Sequence, residues 1–352
     1  MNSLERLIAS GKGQKLDCVP VAPGIGHYAA MLAKQPMTKV ARDPELMAKV
    51  IIQSVERHGH DSCSPITDYG LGTESMGSKV VIRDWEQTYV SEFAVVDDSD
   101  VAGLKLPRPL FDGRMPVVIQ CEQILVEKLG DHVGVNGGLS GPLSFATNLR
   151  GPKQIIYDLI QKPKLVHQLL ELSLEATKGF GEAQIVCGGV KTINIYEPMC
   201  ALISNRMAEE FSFQYLEKLI RHLKGLGALV LLHICNDTTR LLNRMVEIGA
   251  DILSLDVQVD LAEAKRMAAG RASVSGNVST VKLAMLSPQE IYQESCRCIE
   301  KAAVGGRYTL GSSCEVPMET PPENIDAMVR AAREYGPKIL REAEKNSLPD
   351  GI

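Results

Sequence analysis

Short apolar segments alternate with longer amphipathic segments along almost the whole chain. The short segments are rich in β-branched residues and have the length of buried strands. They predict strands at Cys18–Ala22, Asp61–Thr67, His132–Gly137, Thr192–Tyr196, Leu229–Ile234, Ile252–Leu255, Ala272–Ser275 and Tyr308–Leu310. In the longer segments apolar residues recur every three or four positions, which indicates helices. They predict helices at Pro44–His58, Pro163–Glu182, Ala208–Leu226, Thr239–Ile248 and Pro288–Val304.

Eight strands joined by helical crossovers favour an α/β protein with a (β/α)₈ TIM barrel, and a doubly wound open sheet is the competing fold. One segment departs from the alternation. Residues 79–98, KVVIRDWEQTYVSEFAVVDD, have period-two apolar spacing on both sides of a polar centre. This pattern predicts a β-hairpin outside the barrel. Because no linker or repeat interrupts the chain, we expect one domain over residues 1–352 with this hairpin as an insertion.

Composition and charge narrow the classes of partner. The net charge is only −5 and the Lys and Arg residues are scattered, which argues against nucleic acid or an anionic membrane as the partner. The chain has neither a signal-peptide core nor a run of apolar residues long enough to span a membrane, so we expect a cytoplasmic protein. The nine cysteines then predict buried thiols or metal ligands instead of disulfides. The choice between a monomer and a homodimer stays open.

Three soft metal ligands follow predicted strands. His233 and Cys235 are two residues apart at the end of the fifth strand, so both side chains project to one face. Cys314 follows the eighth strand, and the carboxyl ends of the strands are where barrel enzymes carry their active sites. One imidazole and two thiolates are typical zinc ligands, and three protein ligands leave a position open for substrate. The alternative is a hydrogen-bonded histidine with two packed thiols.

The segments around these residues resemble the uroporphyrinogen-decarboxylase superfamily. They are HICNDTTRLLNRMVEIGADILSLD, SGNVST and GSSCEVPMETPPENIDAM, with weaker matches at 137–149 and 72–77. His-x-Cys with a distant Cys is similar to the zinc signature of methylcobalamin:coenzyme M methyltransferases and of related demethylating methyltransferases. The resemblance implies one Zn²⁺ held by His233, Cys235 and Cys314, and a corrinoid carried by a partner protein.

This chain departs from the family pattern at three places. Family members usually have Gly where this chain has Asn236, and often Pro-Gly where it has Ser312–Ser313. The first strand continues as PVAPGIGHYAAM, without the arginines with which a true decarboxylase binds substrate carboxylates. A decarboxylase-like lyase therefore stays only as a second alternative.

The predicted strand ends carry acidic, amide and aromatic residues and no Arg or Lys. They are His27, Tyr28, Asp68, Tyr69, Asn194, Tyr196, Glu197, Asn236 and Asp256. Coenzyme M carries a sulfonate that would require a cation or several backbone donors near the zinc. This lining therefore favours a small methoxylated, aromatic methyl donor and a Co(I) corrinoid acceptor, as in O-demethylases. Methylation of a thiol such as coenzyme M is the alternative.

We expect Glu197 to protonate the leaving oxygen or to fill the fourth zinc position, and Asp68 and Tyr196 to contact the substrate. Tyr28 and Tyr69 complete the predicted aromatic wall. We expect His27, Asn136 and Asn277 to contact the corrinoid. For each of these residues an ordinary role in packing or capping is the alternative.

Overall fold

The architecture is that of a computed structural model, which describes residues 1–347. Its strands are β1 Ser62–Cys63, β2 Lys79–Val81, β3 Tyr89–Glu92, β4 Gly134–Ser140, β5 Thr192–Tyr196, β6 Leu229–Ile234, β7 Ile252–Leu255, β8 Ser273–Val278 and β9 Tyr308–Ser312. The last five residues of the predicted 1–352 domain lie outside the described part.

Seven strands form one parallel sheet in the order β1-β4-β5-β6-β7-β8-β9. The segment before β1 closes this sheet, because Val21 pairs with Leu310 and Gly24 pairs with Glu315 on the β9 side. On the β1 side, the Asp61 backbone N–H donates to the Val21 carbonyl at 2.7 Å. The predicted (β/α)₈ TIM barrel is therefore confirmed.

Two predicted strands are shorter than the sequence indicated. Cys18–Ala22 forms only isolated pairings, because Pro20 and Pro23 have no N–H to donate to a ladder. Asp61–Thr67 is reduced to β1, since Pro65 ends its pairing in the same way. The predicted hairpin is confirmed as the antiparallel pair β2 and β3, which forms a sheet of its own.

Helices cover the outside of the barrel. They are α1 Ser3–Gly11, α2 Tyr28–Leu32, α3 Met37–Val40, α4 Pro44–His58, α5 Met115–Leu129, α6 Pro142–Arg150, α7 Pro152–Gln161, α8 Pro163–Ala183, α9 Asn205–Ala208, α10 Gln214–Gly225, α11 Leu242–Glu247, α12 Leu261–Ala268, α13 Thr280–Met285, α14 Pro288–Ala302, α15 Pro322–Arg330 and α16 Gly336–Ser347. None of the helices in the described part is long and apolar enough to cross a membrane.

The helix predictions are confirmed in place, with local irregularities. The α4 helix has the predicted bounds, and Asp43 caps it by accepting the N–H groups of Glu45 and Leu46. A π-helical turn at Glu209–Phe213 interrupts the predicted Ala208–Leu226 helix. The predicted Thr239–Ile248 helix begins with a short 3₁₀ turn.

The two faces of each barrel strand differ in chemistry. Outward residues such as Ile193, Ile195, Val230 and Leu232 are fully buried against the helices and form the hydrophobic core. Inward residues are mostly Gly, Ser, Thr and Asn. Barrel interiors are usually filled by layers of branched apolar side chains. Here small polar residues leave the barrel lumen open, and the cavity begins at the carboxyl ends of the strands.

Candidate metal centre

The structure brings the three predicted metal ligands together at the carboxyl ends of β6 and β9. His233 Nε2 lies 3.2 Å from Cys235 Sγ, and Cys235 Sγ lies 3.9 Å from Cys314 Sγ. All three ligand atoms lie within 4.8 Å of one another. Tetrahedral zinc, with bonds of about 2.0 Å to nitrogen and 2.3 Å to sulfur, separates its ligand atoms by about 3.5 Å. The donor set and its spacing fit zinc.

Neighbouring residues hold the ligands in position. His233 Nδ1 lies 3.1 Å from Ser254 Oγ and 3.2 Å from the Ser254 carbonyl, which directs Nε2 toward the two sulfurs. Asn236, where the family usually has Gly, has φ +67°. Asn is one of the few other residues that accept this left-handed conformation, so the departure keeps the turn after Cys235. Ser312 Oγ accepts the Gly24 N–H and donates to the Cys314 carbonyl at 2.5 Å.

The two thiols share negative charge. The pKa of Cys314 is lowered to about 5, first because the Cys235 thiol donates to its sulfur and then because His233 stabilises the thiolate. The same hydrogen bond, together with burial and the Cys314 charge, raises the pKa of Cys235. The site therefore holds one thiolate readily and resists a second. A cation between the sulfurs would remove that resistance, as zinc does for its thiolate ligands.

A cavity of about 600 Å³ opens beside the ligands and extends into the lumen. Tyr196 and Asp68 line it, as predicted for substrate contacts, and so does Tyr69. The Tyr196 ring meets the His233 ring edge-on, with centroids 6.2 Å apart. Burial raises the pKa of Tyr196 to about 12, so its hydroxyl keeps its proton. Tyr28 lies elsewhere, because its hydroxyl pairs with His58 in the core, and it takes no part in an aromatic wall.

The predicted strand ends themselves carry no Arg or Lys, but one cation reaches the acidic lining from outside them. Arg114, just before α5, donates to Asp68 at 2.6 and 3.1 Å and to Glu74 at 3.0 Å. The Asp68 carboxylate is therefore neutralised. Sequence spacing could not find Arg114, because it reaches the site from outside the strand ends.

Glu197 is placed differently from its predicted role as a proton donor or zinc ligand. Its side chain is fully buried and is not among the residues that line the cavity. The carboxylate accepts the N–H groups of Leu143 and Ser144, at 3.0 and 2.7 Å, and a hydrogen bond from Ser144 Oγ. These donors belong to the first turn of α6, so Glu197 stabilises that helix terminus. Burial raises its pKa to about 7 although the three donors oppose the shift.

The three residues predicted to contact a corrinoid do not meet at the barrel mouth. His27 is 1% exposed, and its Nδ1 pairs with Glu315 Oε1 at 2.7 Å. Asn277 is also buried, and its amide donates to the carbonyls of Asp256 and Val259. Asn136 does line the cavity, but on β4 it is level with the start of β5, at the far end of the barrel. None of the three is open to a ligand above the mouth.

The sequence profile of the uroporphyrinogen decarboxylase family matches residues 2–335. This chain belongs to the uroporphyrinogen decarboxylase family. Among curated relatives, the methylcobamide:CoM methyltransferase MtaA of Methanosarcina barkeri is 28% identical over 94% of this chain and 97% of its own length. The uroporphyrinogen decarboxylase of Anaeromyxobacter dehalogenans is 26% identical over 94% of this chain and 99% of its own.

A solved methyltransferase from Methanosarcina mazei has the same fold. It superposes with a TM-score of 0.87 and 26% identity, over 95% of this chain and 99% of its own. The family thus includes relatives named as methyltransferases and relatives named as decarboxylases. The resemblance stated from the sequence motifs is confirmed, and the family is one of enzymes.

Proposed function

We propose that this chain is a zinc-dependent methyltransferase that exchanges a methyl group with the cobalt of a corrinoid carried by a separate protein. The observation that supports this proposal is the convergence of His233 Nε2, Cys235 Sγ and Cys314 Sγ beside an open cavity. A decarboxylase needs no such ligand set. The similarity to relatives named methylcobamide:CoM methyltransferase supports the same reading.

Zinc held by these residues would supply a Lewis acid that lowers the pKa of a thiol or stabilises a departing oxygen anion. The residues of the chain have separate tasks. His233 is oriented by Ser254, which keeps Nε2 available as a metal ligand. Tyr196 and Tyr69 border the cavity next to the ligands and exclude water from one side of the reacting group. Arg114 holds the Asp68 side chain against the cavity wall through a salt bridge.

A thiol is the substrate class that we favour. A thiol gives its proton to solvent when it becomes a ligand, so this reaction requires no acid in the cavity. Demethylation of an aryl ether would expel a phenoxide and would gain from a proton donor. Glu197, the donor expected for that reaction, does not line the cavity. Ether demethylation stays a second candidate because Tyr69 and Tyr196 give the mouth an aromatic lining.

One reconstitution separates the two candidates. The purified protein is supplied with zinc and mixed with a corrinoid protein, either as methyl-Co(III) with coenzyme M or 2-mercaptoethanol, or as Co(I) with veratrole or guaiacol. The cobalt absorption spectrum reports methyl transfer in both directions. Demethylation of methyl-Co(III) by a thiol supports the favoured reaction, and methylation of Co(I) by an ether supports the second.

Metal analysis accompanies the assay. We expect one zinc per chain in the wild type and a large loss of zinc and of transfer in Cys235→Ser. Cys187→Ser is the matched control, because Cys187 is half-buried like Cys235 but lies away from the cavity. Clearly substoichiometric zinc in wild-type protein after growth with zinc would contradict the proposal.

A further inference from the structure

The cavity does not end at the metal ligands. Its lining includes three successive layers of the barrel lumen, marked on β5 by Tyr196, Asn194 and Thr192. His233 is level with Tyr196, and Leu229 is level with Thr192. Four residues of strand cover about 13 Å, at about 3.3 Å per residue. The lumen is therefore a channel that leads from the ligand end to the amino-terminal ends of the strands.

The two ends of the channel differ in charge. Asp68 and Glu315 line the metal end, where Asp68 is paired with Arg114 and Glu315 with His27. At the far end the lining contains four cations and one acid, and they are Lys12, Lys191, Arg271, Arg307 and Asp251. That acid is already engaged, since Asp251 pairs with Lys224 Nζ at 2.7 Å and accepts the Val230 N–H at 2.9 Å. Among the described residues, no carboxylate forms an ion pair with any of the four cations.

Arg307 is the cation with the clearest hydrogen bond to the protein. It is half-buried, and its Nη1 donates to the Gly11 carbonyl at 2.8 Å, which fixes the guanidinium against α1. Lys265 lies beside it and donates to the Gly306 carbonyl. Burial, and then the Arg307 charge, lower the pKa of Lys265 to about 8. Among the described residues neither Arg307 nor Lys265 has an acidic partner, so an anion beside Arg307 is favoured.

The wall between the two ends carries several polar groups among apolar ones. Ser254, Ser273, Ser275 and Thr309 line it with hydroxyl groups. Asn194 also lines it and is 8% exposed, and its Oδ1 has no hydrogen-bond partner among the described residues. A buried acceptor without a partner costs free energy, so a ligand with a hydrogen-bond donor at this level fits better than a bare alkyl chain.

We propose that the cationic end of the lumen binds an oxyanion, so that the substrate is an elongated compound with a polar body. Its reactive sulfur or oxygen lies at the metal ligands, and its carboxylate or phosphate lies at Arg307 and Arg271, just before β9 and β8. This inference rests on the proposed function only in placing the reactive end of the substrate at the metal ligands. It assigns a second recognition site at the opposite face of the barrel.

The test uses two series of thiol-terminated oligo(ethylene glycol) compounds of increasing length, one ending in a carboxylate and the other in a hydroxyl. Isothermal titration calorimetry on the zinc-loaded protein measures binding, with 2-mercaptoethanol as the shortest probe. We expect the carboxylate series to gain about tenfold in affinity over the hydroxyl series once the chain spans the lumen. Shorter members of the two series should bind alike.

Substitution of single arginines tests where the carboxylate of the long probes binds. Arg307→Gln and the more exposed Arg271→Gln should each remove most of the gain from the carboxylate and leave 2-mercaptoethanol binding unchanged. Arg266→Gln is the control, because Arg266 is exposed on the neighbouring helix α12, close to Glu263 and outside the lumen lining. Inorganic phosphate should compete with the long carboxylate probe and not with 2-mercaptoethanol.

The outcomes are distinguishable. If 2-mercaptoethanol binds but carboxylate and hydroxyl probes of every length have equal affinity, the oxyanion site is refuted and the proposed function stands. The same conclusion follows if the gain persists in both arginine variants. If no thiol binds at all, the favoured thiol reaction fails, and the inference built on its reactive end fails with it.

Discussion

Replacing Glu197 by Gln separates a structural role from a catalytic one. The carboxyl group is buried under the first turn of α6, where it accepts N–H groups from Leu143 and Ser144. Gln has almost the same shape, but its amide offers one acceptor oxygen and two N–H donors, so it can accept only part of the hydrogen bonds from that turn. Because the side chain does not line the cavity, we expect the variant to retain zinc and to keep methyl transfer close to that of the wild type.

The effect on stability depends on pH. The pKa of Glu197 is raised to about 7 in the folded protein from the model-peptide value of 4.5. Between these two values the folded state binds more protons than the unfolded state, so the free energy of unfolding falls as pH rises. From pH 5.5 to pH 7, at about 1.4 kcal/mol per unit, the wild type should lose about 2 kcal/mol relative to Glu197→Gln.

Urea denaturation at pH 5.5 and at pH 7.5 measures this difference, because contributions from other groups cancel between the two proteins. Glu175→Gln controls for the loss of one charge, since Glu175 is exposed on α8 and pairs with Lys178. A stability difference between wild type and Glu197→Gln that is the same at both pH values would refute the assignment. A large loss of methyl transfer with zinc still bound would instead indicate a catalytic role for Glu197.

Four further outcomes are expected. Removing zinc with a chelator should lower the melting temperature of the wild type and leave that of Cys235→Ser unchanged, as differential scanning fluorimetry would show. Arg114→Gln leaves the carboxylates of Asp68 and Glu74 without their partner, so we expect a loss of about 3 kcal/mol in the free energy of unfolding. Gly138→Leu should block the lumen beside Thr67 and weaken binding of long probes in calorimetry, because even a Cβ there lies 3.2 Å from Thr67 Oγ1. Limited proteolysis should yield no pair of separately folded halves, since the described strands form one closed ring.

Most of the fold was predictable because the strands that face helices are nearly continuous apolar runs. β5, β6 and β7 have the predicted bounds, and the hairpin is where period-two spacing placed it. The errors lie where a local rule overrides hydrophobicity. Proline interrupts the first two strands, so apolar character there does not produce a ladder.

The site was predictable only for residues that strand geometry positions directly. His233 and Cys235 follow from the alternation of side chains on one strand, and Cys314 from its place after the last strand. Arg114 and Glu197 were not predictable in their actual roles. Arg114 reaches the cavity wall from a loop, and the carboxylate of Glu197 turns toward α6 instead of the mouth. The spacing of residues along the sequence does not indicate where either side chain points.

The small polar residues inside the barrel have a consequence for how this protein can change. Stability comes mainly from outward side chains such as Ile193 and Val230, which pack against the helices, while the neighbouring inward positions contact the channel. Adjacent residues of one strand are thus under different selection, the outward residue for packing and the inward residue for ligand binding. Mutations at inward positions such as Thr192, Asn194 or Ser275 can change which compound the channel binds, with little loss of folding stability. A single scaffold of this kind can therefore diversify its substrates while the metal ligands stay in place.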